Sequence, residues 1–278
     1  MFALALALAA SVSWGVADFL GGAKSRAISL LTVVAVSQLA GLALTAVIVT
    51  GAQSFPDWRT ALYAAIAGTA GVVAVAAFYR GMAIGTMSVI APVSATGVAI
   101  PLGVALARGE RPGQIALIGI GLALIGVVLA SAEKEPDGKR SISAGVPLAL
   151  AAAIGFGFFF LALAKASEGN QALAASFALR LTTTPLALAM LFAFRRPLRV
   201  SWPNLYWLIA VGVLDSGANV LFALATSKGL LSLVSVAGSL YPVTTVLLAQ
   251  TLLHERVARH QKLGVVAALT GVVLISAR

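Results

Sequence analysis

A chain of 278 residues with 60% hydrophobic and only 10% charged side chains, at a mean hydropathy of +1.01, lies outside the range of water-soluble domains. Its formal charge of +10 is spread over short polar segments rather than gathered on one face, which argues against nucleic acid as a partner. Without cysteine there is neither a disulfide framework nor a thiolate metal site, and His254 and His260, the two histidines, flank one loop, so no metal and no other cofactor is expected.

Apolar runs of the length a helix needs to cross about 30 Å of hydrocarbon fall at roughly 2–22, 28–50, 60–83, 86–107 and 113–132. They resume at roughly 145–166, 171–194, 205–227, 229–253 and 260–277. The first run has no charged leader region and no convincing small-residue cleavage site, and it holds Trp14 and Asp18, so it reads as a retained span. Between the two sets lies the polar stretch Glu133-Lys134-Glu135-Pro136-Asp137-Gly138-Lys139-Arg140. The pattern predicts an all-α polytopic membrane protein of ten transmembrane helices: a five-helix unit over 1–132, a linker over 133–144 and a second five-helix unit over 145–278.

The two units match each other. Gly109-Glu110-Arg111 corresponds to His254-Glu255-Arg256, Gly119 to Gly264, Gly126-Val127-Val128-Leu129 to Gly271-Val272-Val273-Leu274, and Ser131 to Ser276, all at one offset. With slightly smaller offsets, Phe78, Gly85 and Ser88 correspond to Phe222, Gly229 and Ser232, and Trp14-Gly15 to Phe156-Gly157. Homologous units with an odd number of spans must lie upside down relative to each other, the inverted-repeat plan of many secondary transporters, with binding expected between the halves.

Trp14-Gly15 in the first span, the Glu-Arg pair after the fourth and ninth spans and the closing Gly-Val-Val-Leu carry a family resemblance. On these residues the chain resembles EamA-type members of the drug/metabolite transporter superfamily. The resemblance implies a ten-helix exporter or exchanger of small metabolites in the bacterial inner membrane, with a central cavity lined by the first, third, fourth, sixth, eighth and ninth spans.

Proline inside a span removes one hydrogen bond and frees the carbonyl four residues back. Pro92 and Pro101 would free Ser88 and Gly97, and Pro242 would free Gly238, so corresponding spans of both halves are expected to be interrupted near a midplane site. Ser232, Ser235, Ser239 and Pro242 share one helical face, as do Ser88, Pro92 and Thr96. Such stripes of small polar residues serve either as close-packed helix interfaces or as a cavity wall.

Three ionisable residues fall inside spans, Asp18, Arg180 and Asp215, and each demands compensation in hydrocarbon. Asp215, Asn219 and Phe222 lie in register on the eighth span, and Ser11, Trp14 and Asp18 on the first, two faces suited to an ammonium group through charge pairing and ring attraction. Alternatively Asp215 and Arg180 neutralise each other between neighbouring spans, and Asp18 is solvated at a helix mouth near Lys24 and Arg26. The cavity candidates are therefore Trp14, Asp18, Tyr79, Ser88, Pro92, Phe156, Asp215, Asn219, Phe222, Ser235, Ser239 and Tyr241. Asp18 and Asp215 are in addition candidates for coupling proton movement to substrate.

Counting Lys and Arg by alternate loops places twelve opposite the N-terminus and six on its own side, which favours termini outside, whereas the resemblance implies cytoplasmic termini. No His-Glu-x-x-His helix, Gly-x-Ser-x-Gly elbow or phosphate-binding Gly-x-x-x-x-Gly-Lys-Ser/Thr loop is present, so no enzyme is expected. The expected function is secondary transport, exporting or exchanging amino acids or related amphipathic metabolites. Proton-coupled multidrug or cation efflux and a non-transporting scaffold or lipid-handling role are the alternatives. The expected partners are a small-molecule substrate and the lipid bilayer, with the protein a monomer or homodimer.

Overall fold

The computed structural model describes residues 2–107, 114–134, 140–142, 145–195, 200–229, 231–255 and 258–276. Backbone polar groups in hydrocarbon must be satisfied within their own segment, and the apolar runs accordingly become helices. The first half contains α1 (Phe2–Lys24), α2 (Leu30–Ala52), α3 (Trp58–Ile84), α4 (Met87–Ala95), α5 (Ala99–Ala107) and α6 (Gln114–Ser131). The second contains α7 (Val146–Ala166), α8 (Ala172–Ala193), α9 (Trp202–Lys228), α10 (Leu231–Gly238), α11 (Tyr241–Leu252) and α12 (Arg259–Ser276).

Among the described residues six helices, α1 to α3 and α7 to α9, are long and apolar enough to cross a membrane. α1 and α3 bury mostly Ala, Gly and Ser on their inner faces. Large apolar side chains such as Val47, Val73 and Ile154 point outward, 73%, 59% and 57% exposed, as lipid-facing positions do.

The runs at 86–107 and 229–253, expected to be interrupted, each divide into two helices: a tight turn at Thr96–Val98 separates α4 from α5, and α10 ends at Gly238 before α11 opens at Tyr241. Pro101 and Pro242 lie in the first turns of α5 and α11, where a missing N–H costs nothing, so the helices restart at these prolines. Pro92, by contrast, stays inside α4 without ending it. At the polar linker, β1 (Ala132–Lys134) and β2 (Arg140–Ile142) pair antiparallel.

The packing is two-fold in character. α1 packs on α9 as α7 packs on α3; α2 packs on α9 as α8 packs on α3; α1 packs on α10 as α7 packs on α4, and on α11 as α7 packs on α5. The pairs α2 with α8 and α6 with α12 map onto themselves when the halves are exchanged, and α4 with α11 exchanges with α10 and α5. Direction follows from two contacts. Lys24 Nζ, at the end of α1, donates to Asn204 Oδ1 near the start of α9 at 3.0 Å. At the other end, a methyl group on Gly229, just past α9, would lie 2.7 Å from Ala3 Cβ. α1 and α9 are therefore antiparallel. We call the face where α1 begins and α9 ends the near face, and the one where α1 and α3 end the far face.

The repeated glycines Gly15 and Gly157 explain how the interrupted helices are seated. A methyl group on Gly15 would lie 2.6 Å from the Tyr241 carbonyl oxygen, and one on Gly157 would lie 2.7 Å from the Gly97 carbonyl oxygen. Each glycine thus lets α1 or α7 approach the backbone break of an interrupted helix. Thr245 Oγ1 adds a 3.1 Å hydrogen bond to the Gly15 carbonyl.

Candidate functional site

Between the halves lies a small cavity of about 50 Å³. Its lining draws on α1, α2, α3, α7, α8, α9 and α11, and includes Trp14, Asp18, Phe156, Asp215, Asn219 and Tyr241 from the expected set. The helical spacing of four places Trp14 with Asp18 on α1 and Asp215 with Asn219 on α9, so that both carboxylates reach one space.

Arg180 on α8 is 2% exposed, and its Nη2 donates to Asp215 Oδ2 at 2.6 Å. Its Nη1 donates to Gln38 Oε1 on α2, which also accepts from Thr183 Oγ1 at 2.7 Å. This network holds α2, α8 and α9 together at the cavity wall, and the neutralising pair anticipated between Arg180 and Asp215 is present. Asp18 differs. It is 8% exposed, so it is not solvated at a helix mouth, and its carboxylate makes no hydrogen bond or ion pair among the described residues. Asn219 Oδ1 is likewise buried without a partner. Two carboxylates thus line the cavity with one guanidinium.

Two aromatic triads bracket this polar layer. Trp14, Phe160 and Phe222 have ring centroids 5.7, 5.4 and 5.1 Å apart, toward the near face. Phe78, Phe156 and Tyr241 have theirs 5.6, 6.3 and 6.4 Å apart, toward the far face. Trp14 and Phe222 of the first are the repeat counterparts of Phe156 and Phe78 in the second. Ser94 Oγ and Tyr241 Oη share a buried 2.8 Å hydrogen bond that joins α4 to α11.

Other expected residues lie off the cavity wall. Phe222 stacks behind Trp14, and Tyr79 turns beyond the cavity against Gly21, where an added methyl would meet its ring at 2.2 Å. Ser88 is at the start of α4, bonded to Glu255, and Pro92 is buried within α4. Ser235 and Ser239 are buried along the interrupted α10–α11 segment. The side chain of Ser232, and Glu110, Arg111 and Arg256, lie outside the described residues.

The cavity lining also includes Gln38, Phe159, Phe160, Arg180 and Thr183, which are not among the residues expected there from the sequence. Arg180 at the repeat position of Gln38 was the available signal for the first of these: the two meet across the internal two-fold.

The sequence matches the model of the EamA-like transporter family over residues 1–132 and again over 143–277. No curated protein matches it in sequence. Among solved structures 27 chains match. One, described as "Crystal structure of protein", has a TM-score of 0.70 at 16% identity and covers 98% of this chain and 95% of its own, a likeness of fold. Matched in both halves, with six apolar membrane-length helices, the chain is a multi-pass membrane protein that belongs to the EamA-like transporter family of the drug/metabolite transporter superfamily.

Proposed function

We propose that the protein is a secondary transporter or exchanger that moves small organic metabolites bearing an ammonium group, amino acids or related amphipathic compounds, by alternating access. The observation that carries this reading is the unpaired Asp18 carboxylate in a cavity between the halves, closed by an aromatic triad on either side. An ammonium group would take hydrogen bonds to Asp18 and Asn219 Oδ1, and the aromatic faces of Trp14 and Tyr241 suit the cation and its apolar neighbours. A cavity of about 50 Å³ is too small for such a ligand, which needs about 300 Å³ or more. The closed arrangement is thus one state of a cycle, and binding requires a wider one.

In this reading the chain has ten transmembrane helices in two inverted five-helix units, 1–132 and 145–278 around the linker 133–144. The interrupted α4–α5 and α10–α11 and the helices α6 and α12 supply the four spans beyond the six long ones. The antiparallel packing of α1 with α9 supports the inversion. The protein resides in a bacterial inner membrane as a monomer or homodimer, catalyses no covalent chemistry and has no nucleic-acid partner.

The test is counterflow in proteoliposomes, preloaded with amino acids, nucleosides, sugars or organic cations and offered labelled substrate outside. Saturable exchange of an ammonium-bearing class, lost in Asp18→Asn, is expected. Exchange of neutral sugars alone, or no exchange by a folded preparation, would sink it. A second reading, proton-coupled cation efflux, draws on the same uncompensated carboxylate. It predicts that uptake of an organic cation into vesicles responds to an imposed pH gradient, and that Asp18→Asn abolishes the response.

A further inference from the structure

Helix α4 begins without a cap of its own: Thr86, at its N-cap position, makes no side-chain bond to the first turn. The two free donors of that turn are satisfied from the other half of the protein. Glu255, in the segment after α11, accepts from Met87 N at 3.2 Å through Oε1 and from Ser88 N and Ser88 Oγ at 3.1 Å through Oε2. Its Oε1 also accepts from Arg26 Nη2 at 3.0 Å. The Arg26 guanidinium in turn donates to the carbonyls of Met82, in the last turn of α3, and Gly85, its C-cap. A single carboxylate, its side chain 11% exposed, therefore ties together the ends of α1, α3, α4 and α11 at the far face.

This cluster lies at the outer end of a sealed path. Following α1 and α3 from the cavity toward the far face, Asp18 and Val75 line the cavity, then Phe78 closes the second aromatic triad. Next the Tyr79 ring fills the notch at Gly21, and Met82 fills the one at Gly22, where an added methyl would meet its Cε at 2.7 Å. Arg26 and Glu255 come last. The inner layers are packed rings and a methionine; the outermost is a set of charge-assisted hydrogen bonds that are either made or broken, which is what a two-position closure requires.

We propose that Glu255 is the latch of the far-face gate. It is a positioning residue that touches no substrate and holds the N-terminal turn of α4 against α1, α3 and α11 while the cavity is closed to that side. Substrate passage toward the far face requires its carboxylate to leave Met87 and Ser88. The proposal rests on the transporter reading above, and its test reads accessibility rather than transport.

The chain contains no cysteine, so single reporters can be introduced directly. Val75→Cys reports the cavity, and Ser201→Cys, exposed at the start of α9, reports which face a vesicle presents. A membrane-impermeant thiol reagent is applied to oriented proteoliposomes. With Glu255→Gln, labelling of Val75→Cys from the far face should accelerate about tenfold or more, the shift that loss of one charge-assisted hydrogen bond produces. Near-face labelling should not rise. An unchanged far-face rate in folded protein overturns the latch.

Should Glu255→Gln not fold, an Arg26→Cys/Glu255→Cys pair joined by a short bis-methanethiosulfonate linker tests the converse. Far-face labelling should stop and return on reduction; labelling that continues in the linked protein overturns the proposal. Counterflow on the same preparations separates the two readings. Exchange with latch-independent labelling removes the latch and leaves the transporter, whereas no exchange and no labelling from either face removes both.

Discussion

Replacing Asp215 by Asn keeps the shape of the cavity wall and removes the one counter-charge bonded to Arg180 among the described residues. Arg180 is 2% exposed, and among the described residues its Nε has no partner and only Gln38 would still accept from it. Breaking a buried ion pair by removing one partner costs about 3–5 kcal/mol. The Asp215 side chain is 23% exposed, so the lower end applies, about 3 kcal/mol. Arg180→Met alone should also destabilise, because Asp215 and Gln38 lose their shared donor. The double variant Arg180→Met/Asp215→Leu, with neither member of the pair left to solvate, should return to within about 1.5 kcal/mol of the parent. Equilibrium unfolding in mixed micelles, titrated with an ionic detergent and followed by circular dichroism, gives the three differences. The coupling between the two positions should reach roughly 2 kcal/mol. Strictly additive effects, or an Asp215→Asn protein within about 0.5 kcal/mol of the parent, would refute the reasoning, since surface positions behave in that way.

Gly157→Ala should lower stability by about 1–3 kcal/mol through the clash with the Gly97 carbonyl and Ile100, and Gly15→Ala likewise through Tyr241 and Thr244; thermal unfolding in detergent checks both, with exposed Gly51→Ala as the neutral comparison. Ser94→Ala leaves the buried Tyr241 hydroxyl without its partner and should cost about 1–3 kcal/mol, whereas Ser94→Ala/Tyr241→Phe should recover most of that in the same assay. Asp57 caps α3 by accepting from Thr60 N at 2.7 Å, and this bond holds its carboxyl below the usual range. The capping contribution is therefore present above about pH 4, the ordinary value in the unfolded chain, and fades as pH falls through the lower folded value. The difference in melting temperature between the parent and Asp57→Ala should shrink in acid; a difference that grows there would reverse the sign and refute the cap.

The spans were legible because hydrocarbon imposes a length, and the edges of α2, α3 and α7 fall within about two residues of their apolar runs. Trp14 with Asp18 and Asp215 with Asn219 were legible because four residues return a helix to the same face. The position of the break in the fourth run was not. Pro92 and Pro101 both offered one, and only packing against Gly157 from the other half selects Thr96–Val98. Gln38 and Thr183 were missed because in an apolar run an amide or hydroxyl reads equally as interhelical glue, and its partner lies 145 residues away. Glu255 was visible as half of a repeated Glu-Arg pair, yet nothing local shows that its carboxylate caps a helix 167 residues earlier.

The near-face aromatic triad has an optical consequence. Of the four tryptophans, Trp58, Trp202 and Trp207 stand at the starts of α3 and α9, exposed by 71%, 84% and 41%, while Trp14 is 6% exposed between Phe160 and Phe222. Exchanging the three outer indoles for phenylalanine would leave one fluorophore, wedged between the polar layer and the near face. Its emission would shift to the red when water reaches that layer, so the opening of the cavity could be timed by stopped flow without attaching any label.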